Sequence, residues 1–403
     1  MVTRRLFLGA AGAALPGQQK LPPVRPITRG PKFHWFGYYD KLQFDPSSRY
    51  ALGMQVDFEH RSPEPGDEIR LGVIDTARGD SWKEIGRTKA WNWQQGCMLQ
   101  WLPGSKSEAV WNERENGRFV SRVYDTRTGQ SRVVPAPIYT LSPDGRTALA
   151  PDFRRLNVTR PGYGYAGLPD PHDGIAAPDN AGIWKTDLRT GNTQLIFSFA
   201  QAASFPNPHD DFQGVNQHWF NHLLFSPSGH RFIFLHRWRR PGQSGFKTRL
   251  FTADADGGGL YVTDPYGGAS HFIWRDDGHI LAWAWRPSHG EKFYLYRDRT
   301  AEAEVIGQNV MTVNGHCTYL PGNRWILNDT YPDKDRLQHP YLYEVATRRR
   351  VPLGHFHSPK EYTGEWRCDT HPRFSPDGRK VVIDSPHDGG RQMYLIDISS
   401  IAG

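Results

Sequence analysis

Four histidines stand at matching places in four similar segments. His222 opens His222-Leu223-Leu224-Phe225-Ser226-Pro227-Ser228-Gly229, and His271, His316 and His371 open the three segments that follow. With 17 histidines in 403 residues, four aligned copies are hard to attribute to chance. Imidazoles at one register of a repeating fold can converge, and converged imidazoles bind metal ions. Cys368, three residues before His371, could add a thiolate. The expected ligand set for one divalent metal is therefore His271, His316, Cys368 and His371, with His222 as a possible substitute. Sulfur among the donors favours zinc in a structural role, whereas oxygen or amide donors would suit manganese better. The competing reading is a packing histidine copied along with its repeat. Cys317 follows His316 directly and should point to the other side of its strand, into the core.

A second polar group comes from the first half of the chain. His34 and Gly37-Tyr38-Tyr39-Asp40 precede the first repeated segment, His60 sits in Asp57-Phe58-Glu59-His60-Arg61, and Tyr139 heads the third segment, with Arg155 sixteen residues later. No Ser-His-Asp elbow, HExxH motif or phosphate loop occurs. The chemistry open to such residues is proton transfer by His or Tyr beside a cation.

The elements that position these residues repeat seven times: a short apolar run, a turn of Pro, Asp, Gly or Ser, then a second apolar run. The copies span 41–48, 98–105, 138–145, 222–229, 271–278, 316–323 and 371–378. Each reads as the innermost strand of a blade with its hairpin turn. Most intervals suit a four-stranded blade, but that from 138 to 222 is 84 residues long. Its excess falls in 154–182 and 202–217, rich in Gly, Pro, Asp and Asn, which should be loops over one face and build a binding site there. The fold class is all-β, a single seven-bladed β-propeller over residues 21–403. A strand from about 30–37 should complete the last blade, after which only two further strands follow the final turn.

Composition agrees, with 14 Trp, 41 Gly and 31 Pro. A net charge of +7 fits an acidic partner, but no run of Lys and Arg interleaved with aromatics points to nucleic acid. Three cysteines do not form a disulfide framework. Residues 1–20, with Thr3-Arg4-Arg5-Leu6-Phe7-Leu8 and a short Gly/Ala run, read as a twin-arginine export signal, too short in its apolar part to span a membrane. The expected location is periplasmic or secreted.

Phe33 to Asp40 (FHWFGYYD), Asp152 to Asn157 (DFRRLN), Arg160 to Tyr165 (RPGYGY) and His371 to Gly378 (HPRFSPDG) together resemble the seven-bladed propeller polysaccharide lyases. The ulvan lyases of families 24 and 25 are the nearer likeness and the oligogalacturonate lyases the more distant. The resemblance implies cleavage of a uronate-containing, ulvan-like polysaccharide by β-elimination. It implies Tyr139 as proton donor and acceptor, Arg155 as partner of the uronate carboxylate, and His34 and His60 as assisting histidines. Oligogalacturonate lyases hold manganese on His and Gln, where this chain has Cys368, which favours a structural zinc. β-Elimination needs a base for the proton α to the carboxylate, an acid for the departing oxygen, and charge neutralisation, for which an arginine fork is suited. Two alternatives remain at this level. One is a noncatalytic propeller that captures an acidic glycan or protein. The other is a glycoside hydrolase using two carboxylates from among Asp40, Asp152 and Glu59.

Overall fold

A computed structural model of the chain describes residues 20–402, so the expected export signal lies almost wholly outside the described residues. Seven antiparallel four-stranded sheets follow one another around an axis, as the seven turns predict. Blade one contains Phe33–Trp35, Tyr50–Val56, Ile69–Asp75 and Ser81–Thr88. The innermost strands of blades two to seven are Gln100–Trp101, Thr140–Leu141, Gln217–Phe225, Phe272–Asp276, Thr318–Tyr319 and Arg373–Phe374. The last blade is completed by Val24–Pro26, which pairs with Gln392–Asp397 through Val24↔Ile396 and Pro26↔Tyr394. This corrects the closing segment expected at 30–37. Phe33–Trp35 belongs to blade one, and the chain closes the ring one strand earlier.

The first repeat also departs from expectation. Its inner strand breaks after Trp35 and touches the sheet again only at Phe44, which bridges Ala51. The released stretch places Tyr38, Tyr39, Asp40 and Lys41 in the buried centre of the ring.

The turns explain their own sequence. In Ser142-Pro143-Asp144-Gly145 the Ser142 hydroxyl donates to Asp144 at 2.6 Å, and the Gly145 amide donates to the Ser142 carbonyl at 2.8 Å. Gly145 has φ +69°, and a Cβ there would lie 2.2 Å from the Pro103 carbonyl of the neighbouring blade's turn, so only glycine fits. Ser375 to Gly378 repeats the pattern in the last blade.

Because strands alternate in direction, first-to-second and third-to-fourth turns share one face. Second-to-third connections and links to the next blade share the other. All the long loops are of the second kind. In blade three, residues 151–181 carry helix α1 (Phe153–Thr159), and the link to blade four carries helix α2 (Phe199–Ser204). Between blades, aromatic side chains interlock; Trp35 lies 5.6 and 5.4 Å from Trp91 and Trp93, ring to ring. The core is thus a ring of interfaces that holds the loop-side ends of the inner strands in place.

Candidate active site

The four aligned histidines do gather at the loop-side end of the axis. His316 has its ring centroid 4.2 Å from those of both His271 and His371, and Tyr38 lies 4.9 Å from His222 and 5.2 Å from His371. His222 and His371 have positive φ, +53° and +38°. Such backbone is costly for a residue with a Cβ and is commonly retained at functional sites.

Within this group, His316, Asp369 and His371 bring one ligand atom each within 4.8 Å of one another, all buried. Two observations fit a cation. His316 Nδ1 lies 3.0 Å from both oxygens of Asp329; the carboxylate accepts a hydrogen bond from Nδ1–H and leaves Nε2 with the free lone pair. Nε2 of His316 and Nε2 of His371 are buried without hydrogen-bond partners, a costly state that a bound ion would relieve. Asp329 is itself fixed by the His316 amide at 2.7 Å and the Thr370 hydroxyl at 2.5 Å.

The expected ligand set changes accordingly. Cys368 is replaced by its neighbour Asp369: the thiol is not part of the cluster, and burial pushes it well above its ordinary range despite nearby Arg391. Adjacent residues of an extended segment face opposite ways, so only one of the two can look inward. His271 stands beside the cluster rather than in it, with Nδ1 3.0 Å from Asn314 Oδ1. His222 stacks on Phe272 at 3.9 Å and pairs through Nε2 with Asp40 at 3.1 Å; its Nδ1 is buried without a partner, but it lies outside the His316, Asp369 and His371 cluster.

Arg155 cannot grip a substrate. Only 3% exposed, its guanidinium donates to the carbonyls of His218 (2.6 Å), Ile175 (2.9 Å) and Ala176 (2.7 Å) and to Asp170 (3.1 Å). It pins the 151–181 insertion to blade four. Tyr139 is fully buried in the hydrophobic core, where its hydroxyl accepts from Gln95 at 2.7 Å and burial drives its phenol well above the ordinary range. His34 is buried between Gln392 (2.9 Å) and Gln55 (2.7 Å), and burial lowers it to about 4. His60 is exposed on a loop at φ +62° and packs edge-on against Tyr362. The four residues carried over from the resemblance therefore do not form one constellation.

The carboxylates considered for hydrolysis are equally committed. Asp40 pairs with Lys41 and His222, Asp152 caps α1 and holds Arg154, and Glu59 binds Arg391 and Tyr362.

What the sequence reading missed is a cavity of about 210 Å³ beside the histidines, walled by Tyr38, Arg160, Tyr163, Arg237, His271 and Tyr331 among others. Helix α1 ends where Pro161 forbids its continuation, and its cap residue Arg160 leaves helical geometry at φ −143°. Arg160 then lies over the rings of Tyr163 (4.9 Å) and Phe246 (4.8 Å), its Nε buried without a partner. Arg237, on strand Arg231–Arg239, flanks the same Phe246 ring at 4.7 Å and donates only from Nε, to Thr248 at 3.2 Å. Neither arginine has a carboxylate partner among the described residues. Burial, with Arg160 as a like-charged neighbour, lowers Arg237 from its ordinary value to about 10. Two guanidinium groups, one buried and one half-buried, facing one hollow can together receive an anion. For Tyr163, burial alone would raise the phenol, but Arg367 and Arg160 more than offset it and hold the group below its ordinary value. Arg367 donates to the Tyr163 oxygen and to Asp369, each at 2.7 Å, and so ties the phenol to the metal-capable cluster. A larger hollow of about 530 Å³ at the closing seam, around Arg25 and Lys380, has no such convergence.

No protein-family model and no curated protein matches the chain. Solved structures do. An oligogalacturonate lyase in complex with manganese superimposes with a TM-score of 0.66 at 14% identity, over 94% of this chain and 95% of that one. An oligogalacturonate lyase from Vibrio parahaemolyticus gives 0.66 at 13% identity, over 96% and 97%. A chain of the mitotic checkpoint complex gives 0.53 at 12% identity, over 98% and 100%. At such identities the likeness establishes the seven-bladed propeller fold and nothing more specific. Among the described residues no helix is long and apolar enough to cross a membrane.

Proposed function

We propose that the chain is a polysaccharide lyase that cleaves uronate-containing oligo- or polysaccharides by β-elimination. The observation that carries this reading is the pair Arg237, buried, and Arg160, half-buried, both without carboxylate partners among the described residues and both facing one cavity with Tyr163. A uronate carboxylate there is neutralised by two forks, which makes the proton on the adjoining carbon more acidic. Tyr163, held below its ordinary value, takes that proton. The C–H electrons form the new C=C bond, the bond to the glycosidic oxygen breaks, and the leaving oxygen is protonated by the same phenol or by water. The roles first given to Arg155 and Tyr139 thus pass to Arg160, Arg237 and Tyr163.

His316, Asp369 and His371 would hold a divalent cation, which when bound would supply positive charge for an anionic substrate. With Asp369 in place of Cys368 the sulfur argument for zinc falls, and nitrogen and oxygen donors suit manganese at least as well. The fold likeness to a manganese-bound oligogalacturonate lyase supports galacturonate oligomers as the first substrates to test, ahead of ulvan. A uronate glycan available outside the cytoplasm agrees with the export-signal reading of residues 1–20, so we assign the protein to the periplasm or the medium, which cell fractionation checks. The test of function is incubation with oligogalacturonides, ulvan and glycosaminoglycans, followed by ultraviolet detection of unsaturated uronate ends. Tight binding without any product would make the chain a noncatalytic glycan-binding propeller.

A further inference from the structure

Resting on the lyase reading, the geometry points to an outer sugar subsite beside the cavity, in which Trp285 and Tyr266 stack the pyranose ring adjoining the bound uronate. Trp285 is 44% exposed at the end of strand His279–Arg286, directly after the buried run Ile280 to Ala284. An indole left this open offers a face on which a ring can stack. Tyr266 stands edge-on to it, with ring centroids 6.2 Å apart, and His209 lies 4.8 Å beyond on Tyr266. Arg286 covers the Tyr266 ring at 5.4 Å and makes no ion pair with a carboxylate among the described residues. The platform is therefore aromatic and cationic, which matches an acidic sugar.

The platform is continuous with the cavity. Gly267 and Gly268 line the cavity, and a Cβ on Gly268 would sit 2.9 Å from Trp285 Cβ, so glycine lets the wall lie flush against the tryptophan. The same wall is held by the Thr248 amide, which donates to the Gly267 carbonyl at 3.0 Å, and Thr248 in turn accepts from Arg237. The anion clamp and the platform thus share one loop. The cavity, about 210 Å³, opens outward along this loop, and a ring adjoining the one bound there is led to Trp285. The apolar C–H face of a pyranose suits the electron-rich face of an indole.

The test is the length dependence of kcat/KM on galacturonate di-, tri- and tetrasaccharides. Stacking of this kind is worth roughly 2- to 10-fold in affinity. The ratio of kcat/KM for tetrasaccharide over disaccharide should fall by about that factor in Trp285→Ala and be largely retained in Trp285→Phe. If Trp285→Ala fails to fold, Tyr266→Ala carries the same expectation. Unsaturated products with a length dependence unchanged in both alanine variants would overturn the subsite while leaving the lyase reading intact. If wild-type protein makes no product, calorimetric titration with the same oligosaccharides decides. A preference for longer chains that is lost in Trp285→Ala supports the subsite, and an equal preference in both proteins overturns it.

Discussion

Arg237→Met should make the protein at least as stable and much less able to use a uronate. Burial, with Arg160 as a like-charged neighbour, lowers Arg237 to about 10, which corresponds to an unfavourable contribution of about 3 kcal/mol to the charged folded state at neutral pH. The folded value is depressed, so the cost is fully present below about pH 10 and is relieved only as the pH rises from there toward the ordinary arginine range. Against it stand one hydrogen bond to Thr248, about 1 kcal/mol, and the contact with Phe246, again about 1 kcal/mol. Methionine keeps most of the volume, so the variant gains roughly 1 kcal/mol and its Tm stays level or rises by about 1–2 °C. Substrate affinity moves the other way. Removing one partner from a buried charge pair costs about 2–5 kcal/mol, so kcat/KM should fall by roughly 30-fold to several thousand-fold. Scanning calorimetry and initial rates on oligogalacturonides, both at pH 7, supply the two numbers. A variant that melts several degrees lower with undiminished kcat/KM would show that Arg237 serves the fold and not the substrate.

Tyr163→Phe should reduce kcat by roughly 10² to 10⁴ with a small change in KM, read from the same rate assay. Asp329→Asn, which weakens the support of His316, should lower metal affinity by about 10- to 100-fold in a chelator competition followed by elemental analysis. Arg155→Met should cost about 3 kcal/mol or more, because it strands Asp170 and several buried carbonyls, and it should appear as a lower Tm before any specific loss of rate. His34, His218 and His222 are each lowered to about 4 by burial. The unfolded chain therefore takes up these protons first, and stability, intact above about pH 6.5, should decline as the pH falls toward 4, by up to about 4 kcal/mol per pH unit if all three contribute; urea titrations at stepped pH measure the slope.

The blades were legible because each turn carries its own chemistry. Ser, Asp and Gly at fixed offsets close the same hydrogen bonds in blades three and seven, and related turns at the same place in the other five repeats reveal the global ring. The convergence of His316 and His371 was legible for the same reason, since equal register in a closed ring means nearness at the axis. Residues outside the repeats were not. Tyr139 and Arg155 share a suggestive spacing, but spacing along the chain says nothing about which donors are already occupied, and every strong donor of Arg155 is taken by the insertion it anchors. The Arg160 and Tyr163 pair lay in view in Arg160-Pro161-Gly162-Tyr163, where the proline that stops α1 was the signal. Arg237 meets them from a strand more than seventy residues away in sequence, a juxtaposition that only the folded ring produces. Asp369, and not Cys368, stands with His316 and His371, because a step of one residue along an extended chain changes the side a residue faces.

The most direct test of the account is the mass of the products formed from a defined oligogalacturonide by the purified protein. Elimination divides the chain without consuming water, so the product masses should sum to that of the substrate, one product should absorb in the ultraviolet as an unsaturated uronate, and Arg160→Ala with Arg237→Ala should abolish both signals. Products that together exceed the substrate by one water for each cut, with no ultraviolet absorbance, would make the chain a hydrolase and contradict the proposed chemistry.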